Sequence, residues 1–134
     1  MNFFRFNFEA DGEAAEIATP LSLRKESGSQ EVKGKAVWDT GATSSMISAE
    51  TARKLQLQPI GVAQISGVHG IQNTRVYKVD FVFENGFVIP GVKVSEASNF
   101  GGFDLLVGMD IIGKGQMLID GTSDRLRARF FYPM

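Results

Sequence analysis

A carboxylate at the end of a short apolar segment is the strongest candidate for chemistry in this sequence. Residues 35–38 (Lys-Ala-Val-Trp) read as a buried strand that leads directly into Asp39, and Thr40, Gly41 and Ala42 follow. A glycine at position 41 allows a turn that presents the Asp39 carboxylate, and the Thr40 hydroxyl can both donate and accept hydrogen bonds. We therefore predict that Asp39 is catalytic and that the next three residues shape its loop. The alternative is an ordinary β-turn, in which Asp and Gly are common.

The composition leaves little other chemistry available. The 134 residues include no cysteine and a single histidine, His69, which excludes thiol nucleophiles, disulfides and zinc sites of the Cys/His kind. The G-x-S-x-G motif of a serine nucleophile is also absent. With a net charge of −1, the protein has no overall electrostatic attraction to nucleic acid or to an anionic membrane. We expect neither partner, no metal and no cofactor, and a cytoplasmic location.

The elements that must position Asp39 are mostly strands. Many short β-type runs and fifteen glycines predict one all-β domain over residues 1–134. Ser48 can cap a short helix, and a second short apolar turn or helix is expected after Gly108. Asn85 and Gly86 form a strong hairpin signal. The predicted strands cover residues 4–8, 15–24, 35–38, both arms of a hairpin over 60–83, 105–107, 116–119 and 126–131, and residues 26–34 are predicted to be a polar loop.

Three segments resemble those of a known family. Residues 37–45 (Val-Trp-Asp-Thr-Gly-Ala-Thr-Ser-Ser) are similar to the active-site segment of retropepsin-type aspartic proteases, especially the bacterial retropepsin-like branch. Residues 105–108 resemble the segment beneath the active-site loop, with Leu106, Val107 and Gly108 as loop support. The viral members usually have Arg after this glycine, whereas Met109 stands here. A further segment resembles the flap tip that closes over bound peptide, and it comprises Ser66, Gly67, Val68, His69 and Gly70.

This resemblance implies a fold, an assembly and a reaction. The fold would be a single-lobe acid-protease domain, closed like a β-barrel, with one or two short helices. Peptide hydrolysis by carboxylates needs one base and one acid, and this chain offers one convincing motif, so a homodimer would supply Asp39 twice. Peptides or proteins would be the substrate. The strands around residues 4–8 and 126–131 are the predicted dimer interface. The rival hypothesis is a catalytically silent retropepsin-like module that dimerises or binds peptide.

Several other patterns in the sequence have simpler structural interpretations. Residues 120–123 (Asp-Gly-Thr-Ser) have the hydroxyl and the glycine in the wrong order for a second catalytic motif. Residues 108–115 nearly match a phosphate-binding loop, but Gly115 replaces the Ser or Thr that would bind Mg²⁺. The arginines at positions 125, 127 and 129 alternate along the chain, which indicates the solvent-exposed face of a strand. Structural or solvated roles are expected for Asp104 and Asp110, and His69 is either an exposed loop residue or a contact to substrate.

Overall fold

The computed structural model describes residues 3–11, 16–26, 28–67, 70–98, 101–122 and 124–133. Over these residues the chain forms ten strands and two short helices, and no helix among them is long and apolar enough to span a membrane. In chain order the elements are β1 (Phe3–Asp11), β2 (Ile17–Lys25), β3 (Glu31–Trp38), β4 (Met46–Ser48), α1 (Ala49–Lys54), β5 (Gly61–Gly67), β6 (Gly70–Val82), β7 (Val88–Ala97), β8 (Leu105–Val107), α2 (Met109–Ile112), β9 (Gln116–Gly121) and β10 (Arg125–Pro133).

Six of the strands close on themselves like a barrel. They pair in the order β2-β3-β8-β4-β7-β6, and β6 then pairs with β2. At this closing seam Leu23 lies opposite Phe81, and both side chains are buried. Beside them the Arg24 guanidinium lies 3.2 Å from the buried carboxylate of Asp80, which also accepts a hydrogen bond from the backbone N–H of Gly91. The closed, mostly β fold predicted from the sequence is confirmed.

A second sheet of three strands, in the order β1-β10-β9, packs against the barrel. The contact includes Phe130 of β10, whose ring centroid lies 5.0 Å from that of Trp38 at the end of β3. Residues 125–130 alternate as the sequence predicted: the three arginines are exposed, whereas Ala128 and Phe130 are buried. The apolar face of β10 therefore completes the core beneath the strand that leads to Asp39.

The predicted polar loop over residues 26–34 is wrong in its second half, because β3 already begins at Glu31. From Glu31 to Trp38 every residue of β3 lies opposite a residue of β2. Only alternate residues of this part of β3 face the barrel, with Val32 packed against the core and Lys33 exposed. The other face is solvated, which is why the composition resembles that of a loop.

The predicted start of the first helix is confirmed in detail. Ser48 is the N-cap of α1, and its hydroxyl accepts a hydrogen bond from the backbone N–H of Thr51 at 3.1 Å. Glu50 lies in the first turn, where a negative charge is favourable. The cap fixes the point where the chain leaves β4, the strand that pairs with β8 in the barrel.

The long hairpin predicted over residues 60–83 is formed by β5 and β6. Their register runs from Gly61 opposite Val76 to Gly67 opposite Gly70. Four residues of the returning strand and its end are buried, as their alternation predicted: Tyr77, Val79, Phe81 and Phe83. Val68 and His69 lie outside the described residues. The hairpin thus has a buried base and an arm that extends beyond the closed strands.

Candidate active site

Asp39 lies immediately after β3, where the closed barrel anchors it. Its backbone N–H donates to the carbonyl oxygen of Val107 at 2.9 Å, extending the parallel pairing of β3 with β8. Its carboxylate oxygen Oδ1 accepts a 2.8 Å hydrogen bond from the backbone N–H of Gly41. Within the described residues Oδ2 accepts none, and the side chain is half-buried. One oxygen is therefore fixed by the loop, and the other is available for chemistry.

Gly41 has a different role from the one predicted. The sequence suggested that glycine is needed here for an unusual backbone conformation, but its φ lies outside the left-handed region. A Cβ at this position would lie 3.1 Å from Oδ1 of Asp39, closer than ordinary contacts. A side chain at position 41 would therefore crowd the carboxylate oxygen to which the Gly41 N–H donates.

The other two residues of the predicted loop differ in their surroundings. The Thr40 side chain is exposed, and its hydroxyl makes no hydrogen bond with the part of the chain that the structure describes. Ala42 is half-buried, its N–H donates to the Asp39 carbonyl at 3.2 Å, and its own carbonyl accepts from the N–H of Met109 at 2.8 Å. The loop is thus closed internally and fastened to the start of α2, with the Thr40 hydroxyl facing outward.

The predicted support segment lies beneath this loop. Leu106 pairs with Val37 on one side and with Met46 on the other, so β8 runs between β3 and β4. Gly108 is buried, and its N–H donates to the hydroxyl oxygen of Ser45 at 3.1 Å. A Cβ on Gly108 would lie 2.8–2.9 Å from backbone atoms of residues 42 and 44. Only glycine fits between the loop and the strand below it.

Buried Ser45 and half-buried Asp110 hold the far side of the loop together. The Ser45 hydroxyl donates to Oδ1 of Asp110 at 2.8 Å, and the Ser45 N–H donates to Oδ2 at 3.0 Å. Asp110 also accepts from the N–H of Ile111 at 3.0 Å. Sequence reasoning did not find this pair, and the only signal was a Ser/Thr-rich stretch without a marked partner. These hydrogen bonds account for the structural role that the sequence predicted for Asp110.

Asp104 is committed to the fold in the same way. One of its oxygens accepts from the backbone N–H of Lys35 at 2.8 Å, and the other accepts from the Thr51 hydroxyl at 3.1 Å. It thereby ties β3 to α1. Neither Asp104 nor Asp110 presents a carboxylate oxygen as Asp39 does. Among the described residues no group of three or more His, Asp or Glu side chains could hold a metal ion.

The predicted flap is the outer part of the β5–β6 hairpin. Ser66 is exposed and lies opposite Ile71, while Gly70 adopts a φ of 96° that favours glycine. The base of the hairpin is tied to β7. The Thr74 hydroxyl donates to the backbone carbonyl of Glu96 at 2.6 Å, and Tyr77 donates to the Glu96 carboxylate at 2.7 Å.

The Tyr77 phenol makes the stability of this hairpin base sensitive to alkaline pH. Burial, together with the hydrogen bond and the negative charge of Glu96, raises its pKa above the usual value of 10.0. The folded chain then holds this proton more tightly than the unfolded chain. We expect the contribution to the free energy of unfolding to be complete below about pH 10 and to fall above it.

Thermal melts from about pH 8 to about pH 11 would measure this effect, with Tyr77→Phe as the control. The variant lacks the titrating hydroxyl, so its melting temperature should decline less steeply at the alkaline end. Parallel declines for the two proteins would contradict the assignment to Tyr77.

Comparison with known proteins was consistent with this geometry. A family model described as "Aspartyl protease" matches residues 26–111, about two thirds of the chain. No curated protein matches the sequence. The crystal structure of a retropepsin-like aspartic protease from Rickettsia conorii is similar, with a TM-score of 0.61, 16% identity, and coverage of 98% of this chain and 95% of that one.

Two further solved structures resemble the chain more weakly. The solution structure of the simian foamy virus (mac) protease gives a TM-score of 0.47 at 22% identity, covering 71% of this chain and 92% of that one. The retroviral protease-like domain of Ddi1 from Leishmania major gives 0.47 at 22%, covering 75% and 79%. The structural case for a retropepsin-like fold rests on the Rickettsia protein.

Proposed function

Since this chain belongs to the aspartyl protease family, we propose that it is an endopeptidase whose active site contains Asp39 from each of two identical chains. The observation that carries the proposal is the contrast between three aspartates around β8. Asp104 and Asp110 are occupied by hydrogen bonds that hold the fold together, whereas one carboxylate oxygen of Asp39 has no hydrogen-bond partner among the described residues.

Two copies are needed because the reaction requires two carboxylates in different protonation states. One Asp39, ionised, accepts a proton from water, whose oxygen attacks the carbonyl carbon of the peptide bond. The other Asp39, protonated, donates its proton to the carbonyl oxygen. The tetrahedral intermediate collapses when the first Asp39 gives the proton that it took from water to the leaving nitrogen and the C–N bond breaks. A hydroxyl proton of the intermediate returns to the second Asp39, which leaves a carboxylic acid product and restores both side chains. Two carboxyl groups about 3 Å apart share one proton readily, since like charges this close disfavour double ionisation.

The loop around Asp39 suits this arrangement. The Gly41 N–H donates to Oδ1 and fixes the orientation of the Asp39 carboxylate. The Thr40 hydroxyl is exposed and has no partner among the described residues of its own chain, so it is available to the loop of the second copy. Each chain would thus contribute a matching half of the site.

The β5–β6 hairpin is the proposed flap. β5 pairs only with β6 among the described strands, so its other edge is free for an extended peptide. Val62 and Ile71 are large apolar residues exposed on the arms of this hairpin. They favour substrates with apolar side chains at alternating positions.

A dilution series tests whether hydrolysis belongs to the dimer. Specific activity on a peptide library should be constant at high protein concentration and fall steeply below the dimer dissociation constant. A peptide in which a tetrahedral carbon bearing a hydroxyl group replaces the scissile carbonyl should inhibit hydrolysis, because it resembles the transition state. Full hydrolytic activity in a sample that light scattering shows to be monomeric would rule out the shared site. A dimer that cleaves no peptide would favour the silent module.

A further inference from the structure

Of the two terminal strands predicted to form the interface, β10 has no free edge in the observed sheet, whereas β1 has one. β1 and β10 pair with each other within one chain, from Phe3 opposite Pro133 to Asp11 opposite Arg125. β10 also pairs with β9. Because β10 has a neighbour on both sides, it cannot accept a strand from a second copy. Among the described strands, β1, β5 and β9 have a neighbour on one side only.

The free edge of β9 has the character of an unprotected interface. Leu118 and Ile119 at its centre are large aliphatic residues, yet 50% and 51% of their surfaces are exposed. Proteins usually protect free strand edges with lysine and other charged residues, or with proline. Between Gln116 and Gly121 the only charged residue is Asp120. β1, in contrast, carries Arg5, Glu9 and Asp11 in its sequence.

β9 is also linked to the Asp39 loop through α2. The loop is bonded through Ala42 to Met109, the first residue of α2, and three residues separate α2 from β9. Met109 is itself apolar and 41% exposed. The exposed apolar residues of α2 and β9 therefore belong to the same short segment that holds the catalytic loop.

We propose that β9 pairs antiparallel with β9 of a second copy across a twofold axis. This would join two three-stranded sheets into one of six strands, in the order β1-β10-β9-β9-β10-β1. The inference rests on the proposed function, because that function requires a second Asp39. A strand paired with its own copy about a twofold axis perpendicular to the sheet is antiparallel and self-complementary.

The size of this contact indicates what else must take part. A strand of six residues is about 20 Å long, and its edge alone covers much less than the roughly 1,600 Å² typical of a stable interface. Met109 and the Asp39 loop would add to the contact area. The edge of β5 is left for substrate, so the partner and the peptide use different strands.

Leu118→Glu tests the proposal without disturbing the monomer. Position 118 lies opposite Arg129 on β10, so the new carboxylate has a favourable neighbour within its own chain. Across the axis two such carboxylates would repel each other, and the apolar contact would be lost. We expect the dimer dissociation constant to rise at least about tenfold, measured by sedimentation equilibrium. Ile60→Glu, at a residue 55% exposed outside β9, should leave it unchanged.

Cross-linking provides a second measurement that does not depend on the folding of that variant. The chain has no cysteine, so Leu118→Cys and Ile119→Cys each introduce a single thiol. Paired positions across two antiparallel strands bring the Cα atoms to about 4.5–5.5 Å, within the range of about 4.4–6.8 Å that a disulfide spans. At least one of the two variants should form a covalent dimer under mild oxidation much faster than Ile60→Cys.

These outcomes separate the interface from the chemistry. An unmodified chain that stays monomeric would overturn the interface, as would a dimer that Leu118→Glu leaves intact and neither thiol cross-links. A dimer that Leu118→Glu dissociates, but which hydrolyses no peptide, would support the interface and remove the proposed function. A dimer that hydrolyses peptide and that Leu118→Glu does not dissociate would support the proposed function and contradict the β9 interface.

Discussion

Asp39→Asn is expected to abolish peptide hydrolysis while the fold and the dimer persist. The asparagine side-chain oxygen can still accept the hydrogen bond from the Gly41 N–H that Oδ1 accepts now, so the loop keeps its shape. An amide can act neither as the general base nor as the general acid. Since each of these roles contributes about 10²–10⁴ in rate, activity should fall at least about a hundredfold.

The matched control is Asp124→Asn, the same change at an exposed aspartate in the loop before β10. It should retain full activity. Circular dichroism and light scattering would establish that both variants are folded dimers. If folded, dimeric Asp39→Asn kept more than about a hundredth of the original rate, Asp39 would not be the catalytic residue.

Gly108→Ala is expected to have the largest effect on stability. The added methyl group would lie 2.8–2.9 Å from backbone atoms of residues 42 and 44, which cannot rotate away as a side chain would. Overpacking in a core costs about 1–3 kcal/mol, and we expect the upper end of this range. Relief of the contact would also shift the loop that ends at Ala42, so activity should fall even where the variant remains folded.

Gly61→Ala is the comparison for this effect. A Cβ at position 61 meets no atom within 4 Å, so the free energy of unfolding should change by less than about 1 kcal/mol. Urea denaturation of both variants gives the measurement. Equal stability of Gly108→Ala and Gly61→Ala would show that the support segment is not packed against the loop as described.

Local signals in the sequence accounted for most of the fold. Alternation predicted β1, β6 and β10, and the Ser48 cap predicted the start of α1, because these depend on residues close in the chain. The same reasoning missed residues 31–34 of β3. Their strand conformation follows from pairing with β2, and an exposed face resembles a loop in composition.

The site was only partly predictable because its supports are distant in sequence. Asp39 and its loop were predicted from one contiguous motif. The bonds from Ser45 to Asp110 and from Lys35 to Asp104 join residues 65 and 69 positions apart, and no local pattern marks them. The free edge of β9 likewise depends on β10 lying between β1 and β9, an order that alternation within each strand does not reveal.

The most direct test of a shared site is hydrolysis by two copies joined through a flexible linker. The linker keeps the two copies together, so that subunits cannot exchange. Three such proteins would carry two, one or no intact Asp39, with Asp39→Asn in each altered copy. If the two aspartates form one site, only the protein with both should hydrolyse peptide, and a single substitution should lower the rate at least about a hundredfold. Half of the original activity in the protein with one intact Asp39 would contradict the account, because each copy would then work alone.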